Sequence, residues 1–358
     1  MGIAKTMFGR LVPAVLLASF VTVAAPAGPG RALAQDAALL DSAAPDRQAR
    51  LEAAARKEGA LALYTSIAQK DLPPLIQAFE KRYGVKVNVW RASGGKGLQK
   101  IIEEQKAGRY SVDVVHTSGP ELEILHREKL LQPVASPYFG DLVPGGVPAH
   151  REYATTLLSV FVQAYNTGLL TRDALPRTYQ DLLNPRWKGM LGYEAEDIEW
   201  FATVADVVGG GGAAGVRYFR DLVAGNGLSV RKGHTLLTNL VVSGEVPLAL
   251  TLYNYMPAQA KKKGAPIDWF VIEPAVARTN GVAVMKNARS PNAAALFEDF
   301  MLSEGQGILL GLDYVPATTK LASPLGTVAV RLVDPVDAID KSAAWEPLYD
   351  EIILKQAR

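Results

Sequence analysis

Cysteine is absent from the 358 residues of the chain. Without thiols there can be no disulfide, no cysteine nucleophile, no zinc site built on cysteine and no lipid-modified cysteine near the N-terminus. An excess of basic charge is also absent, because 38 lysines and arginines stand against 36 aspartates and glutamates. Nucleic-acid binding depends on concentrated cationic side chains and is therefore not expected.

Signatures of the common enzyme classes are missing as well. The sequence has no G-x-S-x-G, H-E-x-x-H or Walker motif. Its four histidines, at positions 116, 126, 150 and 234, are scattered without the spacing of metal ligands. No catalytic residue can be named, so we expect a protein that is not an enzyme.

A short apolar run from Leu11 to Ala25 follows Lys5 and Arg10 and leads to an A-x-A pattern at residues 32–34. This is the arrangement of a secretory signal peptide. A membrane-spanning helix needs about 20 apolar residues, which is more than this run provides. We predict that residues 1–34 are removed near Ala34/Gln35 and that the mature protein is exported.

Apolar strands alternate with segments of helical spacing from residue 61 onward. Leu61–Thr65, Val85–Trp90 and Val112–Val115 are predicted strands, and each is followed by a predicted helix. A second series of strands and helices begins near Thr156. This alternation predicts an α/β fold built from parallel βαβ units.

Small and hydroxylated residues follow the three predicted strands of the first series. Ligands of α/β proteins bind at the carboxyl ends of parallel strands, where the N–H groups of helix starts point toward them. Helix capping by itself also accounts for serine and threonine at such positions. The residues predicted to line a ligand site here are Thr65, Ser66, Ser93, Gly94, Gly95, Ser118 and Gly119.

Several segments resemble one known family. The stretch TYQDLLNPRWKG at residues 178–189 is similar to a segment of bacterial extracellular solute-binding proteins, and more narrowly of the ferric-iron-type binding proteins of ABC importers. Residues 280–306 resemble the family's return segment, and residues 164–167 and 243–246 resemble shorter pieces. The resemblance implies a type II periplasmic-binding-protein fold, with two α/β lobes joined by crossover strands and a ligand cleft between them.

The same resemblance implies how the chain is divided and what it does. Residues 35–158 and 275–325 would form the first lobe, 159–274 the second, and 326–358 a helical tail packed on the outside. The crossing strands would be Val160–Tyr165 and Phe270–Glu273. The implied protein is a monomer in the periplasm that captures a small ligand by lobe closure and delivers it to ABC permease subunits in the inner membrane. A sensor subunit and a secreted enzyme on the same frame are the alternatives.

Two tyrosines mark one lip of the expected cleft. Ferric-type relatives have adjacent tyrosines after the strand that follows the S-G-E segment, whereas here Asn254 separates Tyr253 from Tyr255. If the strand continues, both tyrosines lie on one face, because alternate residues of a strand share a face. If a helix begins at Asn254, only one of them is expected to enter the cleft.

The opposite lip, Gly192–Glu199, is acidic and carries four carboxylates. Phenol and carboxylate oxygens suit a hard cation, and a bound cation lowers the pKa of a phenol from about 10. Ferric iron is therefore the favoured ligand, carried as cargo rather than as a resident cofactor. The predicted ligand residues on these lips are Tyr193, Glu194, Glu196, Tyr253 and Tyr255, of which Glu194, Tyr253 and Tyr255 are the candidate metal ligands.

Two other ligand classes fit the same residues. The acids suit an organic cation such as a polyamine or a thiamine-like compound, stacked on Trp90 or Trp200. A phosphorylated small molecule would be held by Ser93, Gly94 and Arg231 instead. A solvated acidic helix start is the purely structural explanation of the acidic run, since acids favour the first turn of a helix.

Overall fold

The computed structural model describes residues 44–210 and 212–356. The signal peptide predicted over residues 1–34 lies outside these residues. The described strands are β1 (Ala60–Thr65), β2 (Lys86–Arg91), β3 (Val114–Ser118), β4 (Leu131–Gln132), β5 (Ala154–Asn166), β6 (Leu191–Glu194), β7 (Ser229–Arg231), β8 (Leu248–Tyr253), β9 (Ile267–Phe270), β10 (Ala275–Met285), β11 (Val315–Pro316) and β12 (Val330–Leu332).

Helices pack against the strands in both halves of the molecule. None of those in the described ranges combines the length and the apolar character needed to cross a membrane. They are α1 (Arg47–Glu58), α2 (Leu72–Tyr83), α3 (Gly94–Lys106), α4 (Gly119–Arg127), α5 (Ile198–Gly209), α6 (Ala213–Asn226), α7 (His234–Ser243), α8 (Tyr255–Lys262), α9 (Pro291–Leu302), α10 (Glu304–Gly311), α11 (Pro335–Asp340) and α12 (Ser342–Ile352).

Helix α2 illustrates how the sequence pattern determines these elements. Its buried residues Leu72, Leu75, Phe79 and Tyr83 recur at the spacing of one helical face. Prolines occupy its first turn, where the missing N–H costs no hydrogen bond. The helix ends at Gly84, whose φ of 72° is the left-handed conformation that glycine adopts without strain.

The strands are paired in the order β2-β1-β3-β10-β5-β8-β6-β7. In one half, β1 is parallel to β2 and β3, while β10 is antiparallel to β3. In the other half, β6 is parallel to β7 and β8, while β5 is antiparallel to β8. The predicted α/β arrangement with parallel units is therefore present twice, once in each lobe.

Strand β5 passes from one lobe into the other. Its first part pairs with β10 as far as Val160, and its second part, from Phe161, pairs with β8 and β9. A large apolar core lies on each side of this change of partner, one around Phe79 and Phe297 and one around Trp200 and Phe219. We call these two halves the first and the second lobe; the exact boundaries given above stay a prediction.

The C-terminal segment contacts both lobes. Strand β12 pairs with β10, and Asp340 at the end of α11 accepts a hydrogen bond from Arg127 of the first lobe at 2.5 Å. In α12 one face is exposed, while Tyr349 and Ile352 belong to the core of the second lobe. The Tyr349 hydroxyl also donates to the backbone carbonyl of Glu194 at 3.3 Å. The segment therefore spans the junction between the lobes.

The segment 178–189 forms a compact turn that is closed by its own side chains. It contains two short 3₁₀ helices, Gln180–Leu183 and Pro185–Trp187. The Asp181 carboxylate accepts hydrogen bonds from the backbone N–H groups of Arg177 and Thr178, both at 2.9 Å. The Trp187 indole N–H donates to the Asp181 carbonyl at 3.0 Å, and its ring is buried. This segment belongs to the framework of the second lobe.

The Asp181 carboxylate gives this turn a dependence on pH. The N–H groups of Arg177 and Thr178 stabilise the carboxylate and hold the pKa of Asp181 below its ordinary value. A group with a lowered pKa adds stability above its unfolded pKa of about 3.9 and loses that stability as the pH falls through the folded value. We expect Asp181→Asn to lower the free energy of unfolding by at most about 0.5 kcal/mol at neutral pH, because Asp181 is exposed and asparagine accepts the same hydrogen bonds, with a smaller effect below about pH 4.

Urea unfolding at the two pH values measures this difference. Asp173→Asn is the matched control, because Asp173 is an exposed acid in the preceding 3₁₀ helix. An equal cost of Asp181→Asn at both pH values would show that its charge is not what holds the turn.

Candidate ligand-binding site

The strand ends of the first lobe meet at one edge, as predicted. Thr65 ends β1, and its hydroxyl accepts the backbone N–H of Ile67 at 3.1 Å, which closes a local turn. Ser93 precedes α3 and is exposed, while Ser118 ends β3 and precedes α4. Neither serine caps its helix through its side chain. The structure therefore leaves the hydroxyls of Ser93 and Ser118 available for another partner.

Two glycines at this edge, Gly119 and Gly95, differ in how much space surrounds them. A Cβ on Gly119 would lie 2.3 Å from Thr279 Oγ1 and 2.9 Å from Pro335 Cγ. Gly119 is thus required by the close approach of β10 and α11, which cover it. Gly95 is exposed, and a Cβ there would meet no neighbour. Ser66 is half-buried and lines a small cavity with Ser93 and Gly94.

A carboxylate that the sequence analysis missed lies between α3 and α4. A Cβ on Gly94 would lie 2.4 Å from Glu121 Oε1, so the Glu121 carboxylate sits directly against the start of α3. Burial raises the pKa of Glu121, while Arg278 opposes that rise. The wall contributed by the first lobe is therefore acidic as well as hydroxyl-bearing.

The two tyrosines lie side by side although a helix begins between them. Strand β8 ends at Tyr253, and α8 begins at Tyr255 after Asn254 in a helical conformation. The rings of Tyr253 and Tyr255 are nevertheless stacked, with centroids 6.1 Å apart and planes at 17°. The turn at Asn254 thus brings the second ring back beside the first, and the entry of one or both tyrosines into the cleft stays a prediction.

These tyrosines form the middle of a longer aromatic column. The His234 ring stacks on Tyr253 at 4.2 Å, and the Tyr314 ring stacks on Tyr255 at 4.1 Å. His234 comes from α7 of the second lobe, whereas Tyr314 follows α10 of the first lobe. The Tyr314 hydroxyl donates to the Asp71 carboxylate at 2.8 Å, which fixes that end of the column. The column therefore spans the cleft from one lobe to the other.

Arg278 of β10 places a buried cation beside the tyrosine pair. Its guanidinium donates to the Tyr253 hydroxyl and, at 3.2 Å, to the Glu199 carboxylate. Burial raises the pKa of Tyr253 well above its ordinary value, and Arg278 acts in the opposite direction because a nearby cation favours the phenolate. Arg278 thus holds Tyr253 in place and partly offsets the cost of ionising it.

Carboxylates and an imidazole gather next to Tyr253. The oxygen and nitrogen atoms that Glu194, Asp197 and His234 can offer to a cation all lie within 4.8 Å of one another. His234 Nε2 and Asp197 Oδ2 are 3.1 Å apart. Burial works against the charged form of His234, but Asp197 and Glu194 together outweigh it and raise the pKa of the imidazole. We call these three residues the acid–imidazole cluster.

Glu194 is positioned by backbone groups. Its carboxylate accepts the N–H groups of Gly233 and Glu196, both at 2.7 Å, and burial raises its pKa. Each carboxylate oxygen still has a second lone pair for another partner. Glu194 is thus rigid and preoriented rather than solvated, as an acid at a helix start would be.

Several predicted residues lie outside the cleft. Tyr193 is fully buried in the second core, where its hydroxyl donates to the Asp197 carbonyl at 2.8 Å. Glu196 pairs with Lys232 at 2.8 Å and Arg231 lies 3.6 Å from Glu245, both near the surface. Neighbouring strand residues point to opposite faces, so Tyr193 and Glu194 cannot both face the cleft.

The two tryptophans proposed as stacking partners serve the lobe cores instead. Trp200 is fully buried against Phe219 at 5.9 Å between ring centroids. Trp90 packs against Tyr64 within the first lobe, with ring centroids 4.7 Å apart and planes tilted by 42°. Trp90 also lines a small cavity with Thr65, Ser93 and Glu121, whereas Trp200 is removed from any ligand by burial.

The residues that sequence reasoning missed come from distant segments. Asp197 and Glu199 stood in the predicted acidic run but were not singled out, and no spacing pointed to the remaining ones. The missed residues of the cleft are Asp71, Glu121, Asp197, Glu199, His234, Arg278 and Tyr314.

Most of the chain matches one family of known proteins. Residues 64–308 match the family model described as "Bacterial extracellular solute-binding protein". A curated relative, the Fe(3+)-binding periplasmic protein of Serratia marcescens, is 21% identical over 204 residues, which is 57% of this chain and 60% of that protein. The chain thus spans less than two thirds of that relative's length.

Solved structures share the fold at low sequence identity. Iron-bound HitA from Pseudomonas aeruginosa is 22% identical, with a TM-score of 0.71 over 82% of this chain and 99% of that one. AfuA from Actinobacillus pleuropneumoniae, solved with exogenous fructose-6-phosphate bound, is 22% identical, with a TM-score of 0.70 over 82% of this chain and 98% of that one. At this identity the likeness concerns the fold.

Proposed function

Since this chain belongs to the family of bacterial extracellular solute-binding proteins and has the type II periplasmic-binding-protein fold, we propose that it captures a small ligand for an ABC importer. The ligand would bind in the cleft between the lobes. The mature protein would act in the periplasm after cleavage near Ala34/Gln35, as a monomer that docks on permease subunits of the inner membrane. Binding and delivery, without chemical conversion, would be its whole activity.

Ferric iron is the cargo that we propose first. The observation that carries this proposal is the contact between the acid–imidazole cluster and the tyrosine pair, with His234 stacked 4.2 Å from Tyr253. Phenolate, carboxylate and imidazole are suitable ligands for a hard trivalent cation, and the cation would lower the pKa of the phenols that it binds. Tyr253, Tyr255 and Glu194 are the proposed ligands from the sequence, joined by Asp197 and His234.

Arg278 would assist ferric binding without being a ligand of the metal. Its positive charge favours the phenolate form of Tyr253, while Glu199 balances the guanidinium. Burial opposes ionisation of Tyr253, so the metal and Arg278 together must supply the stabilisation. The apo cleft would therefore keep the phenol protonated and ionise it only on loading.

Lobe closure would complete the site. The second lobe supplies Tyr253, Tyr255 and the acid–imidazole cluster, and the first lobe supplies Glu121, Tyr314 and the serine-bearing edge. A ligand shifts the balance between open and closed forms only by its greater affinity for the closed one. Closure would remove the ligand from water and form the surface that the permease recognises.

A phosphorylated small molecule is the second candidate. Arg278 Nε and the hydroxyls of Thr117 and Ser118 are buried without a hydrogen-bond partner among the described residues. A guanidinium with two hydroxyls can bind a phosphate group. AfuA, which shares the fold, was solved with fructose-6-phosphate. A phosphorylated ligand would use more of the hydroxyl groups at the strand ends of the first lobe than ferric iron would.

One pair of titrations separates these candidates. We expect ferric citrate, added to ligand-stripped mature protein, to produce a saturable visible band from phenolate-to-iron charge transfer, and fructose-6-phosphate to leave the thermal unfolding temperature unchanged. Stabilisation by fructose-6-phosphate without a visible band would replace ferric iron by the phosphorylated ligand. Stabilisation by spermidine alone would identify an organic cation.

A further inference from the structure

A cavity of about 320 Å³ lies beside the ligand cleft at the junction of the two lobes. Its walls come from three parts of the chain: α4 of the first lobe, α5 of the second lobe, and the C-terminal segment that spans them. We call it the junction cavity. Glu199, the last residue of the acidic run and the carboxylate bonded to Arg278, lies on its wall, and none of the proposed ferric ligands lines it.

The floor of the junction cavity is apolar. Ile124 of α4, Ile198 and Ala202 of α5, and Trp345 of α12 line it and are all half-buried. Trp345 is held in place by an edge-to-face contact with Phe201, with centroids 5.8 Å apart and planes at 89°. A fixed indole and two branched aliphatic side chains provide a surface for an apolar or aromatic group.

The charges around this floor are mainly negative. Five carboxylates line the cavity, whereas its only cationic lining residues are Arg331 and Lys341. Lys341 is already bonded to the Asp337 carboxylate at 2.8 Å. Asp206 on α5 and Glu346 on α12 line the cavity and are exposed. A ligand with a positive charge at one end and an apolar body at the other would complement both parts.

We propose that the junction cavity is a second binding site, for a small organic cation with an apolar or aromatic body. The volume lies at the lower end of the range of ligand pockets, so the body would be about the size of a single ring. The ammonium group would face Asp206 and Glu346, and the ring would rest on Trp345 between Ile124 and Ile198. This site does not depend on which ligand the cleft carries.

Calorimetric titration of the mature protein with 2-phenylethylamine tests the proposal, with phenylacetate as the control of opposite charge. We expect saturable binding of the amine and none of the acid at the same concentrations. Ala202→Leu, which fills the floor, should weaken amine binding at least about tenfold. Asp206→Asn combined with Glu346→Gln should weaken it roughly fivefold, as expected for two partly exposed ion pairs.

Two control variants test whether the amine binds in the junction cavity. Ala214→Leu and Asp350→Asn change exposed positions on α6 and α12 outside the cavity and should leave amine binding unchanged. Equal binding of phenylacetate, or full binding by Ala202→Leu, would overturn the proposal. Loss of amine binding in Tyr253→Phe would also overturn it, by moving the amine into the cleft. If Ala202→Leu does not fold, the double charge variant decides alone, and the ferric titration of the same samples reports separately on the cleft.

Discussion

Replacing Tyr253 by phenylalanine is expected to weaken the visible ferric band and to weaken ferric binding by about 100-fold or more. The change removes one phenolate ligand and the hydroxyl that receives the Arg278 hydrogen bond. Loss of an outer partner of a metal ligand already costs about 10–100-fold, so loss of a ligand itself should cost at least as much. The measurement is titration against citrate as a competing chelator, read in the visible range.

Two further tyrosine variants test whether the loss of ferric binding is specific to the tyrosines of the cleft. Tyr255→Phe should weaken ferric binding in the same direction, because its ring lies beside Tyr253. Tyr110→Phe should have no effect, because Tyr110 is exposed in the loop between α3 and β3. A normal thermal unfolding curve for Tyr253→Phe must accompany the loss of binding. An unchanged visible band in Tyr253→Phe would remove Tyr253 from the ferric site.

Replacing Trp187 by alanine is expected to lower the free energy of unfolding by about 4 kcal/mol. Trp187 is 2% exposed, and its indole N–H holds the Asp181 carbonyl at 3.0 Å. Removing a buried tryptophan loses its apolar burial and leaves a cavity, and such changes cost about 3–5 kcal/mol. Denaturant unfolding followed by circular dichroism gives the value, provided that the slope of the transition is unchanged.

Conservative changes at this turn separate its contributions. Trp187→Phe keeps most of the ring volume and should cost less than half as much. Arg186→Ala removes a guanidinium that lies 4.6 Å from the Trp187 ring centroid and should cost at most about 1 kcal/mol. A loss below about 1 kcal/mol in Trp187→Ala would mean that the surrounding core closes around the missing ring.

The same turn explains why the family was recognisable from sequence while the ligand was not. The most distinctive stretch, residues 178–189, is held by Asp181, Asn184 and Trp187 within itself and contributes no group to the cleft. Such a turn needs particular residues at each position whatever ligand the protein carries. Recognition of the motif therefore predicted the fold and left the cargo open.

Local patterns predicted the framework of the cleft, because strand ends and helix starts follow from periodicity. Ser93 and Ser118, at the edge of the first lobe, were predicted in this way, and the structure places both at helix starts. Arg278, His234 and Tyr314 could not be, because each comes from an element distant in sequence and meets the tyrosine pair only through the crossing of the two lobes. Tyr193 was misplaced for the opposite reason: a one-residue step along β6 reverses the face.

The stack of Tyr255 on Tyr314 joins a ring from each lobe, with centroids 4.1 Å apart and planes at 27°. Two phenols at this distance couple their electronic transitions, and the coupling weakens steeply as the rings separate. Rotation of the lobes would therefore alter the near-ultraviolet circular dichroism of the unlabelled protein. This circular dichroism signal would report the opening of the cleft without an added dye. Tyr314→Phe, which lacks one of the two phenols, is the control.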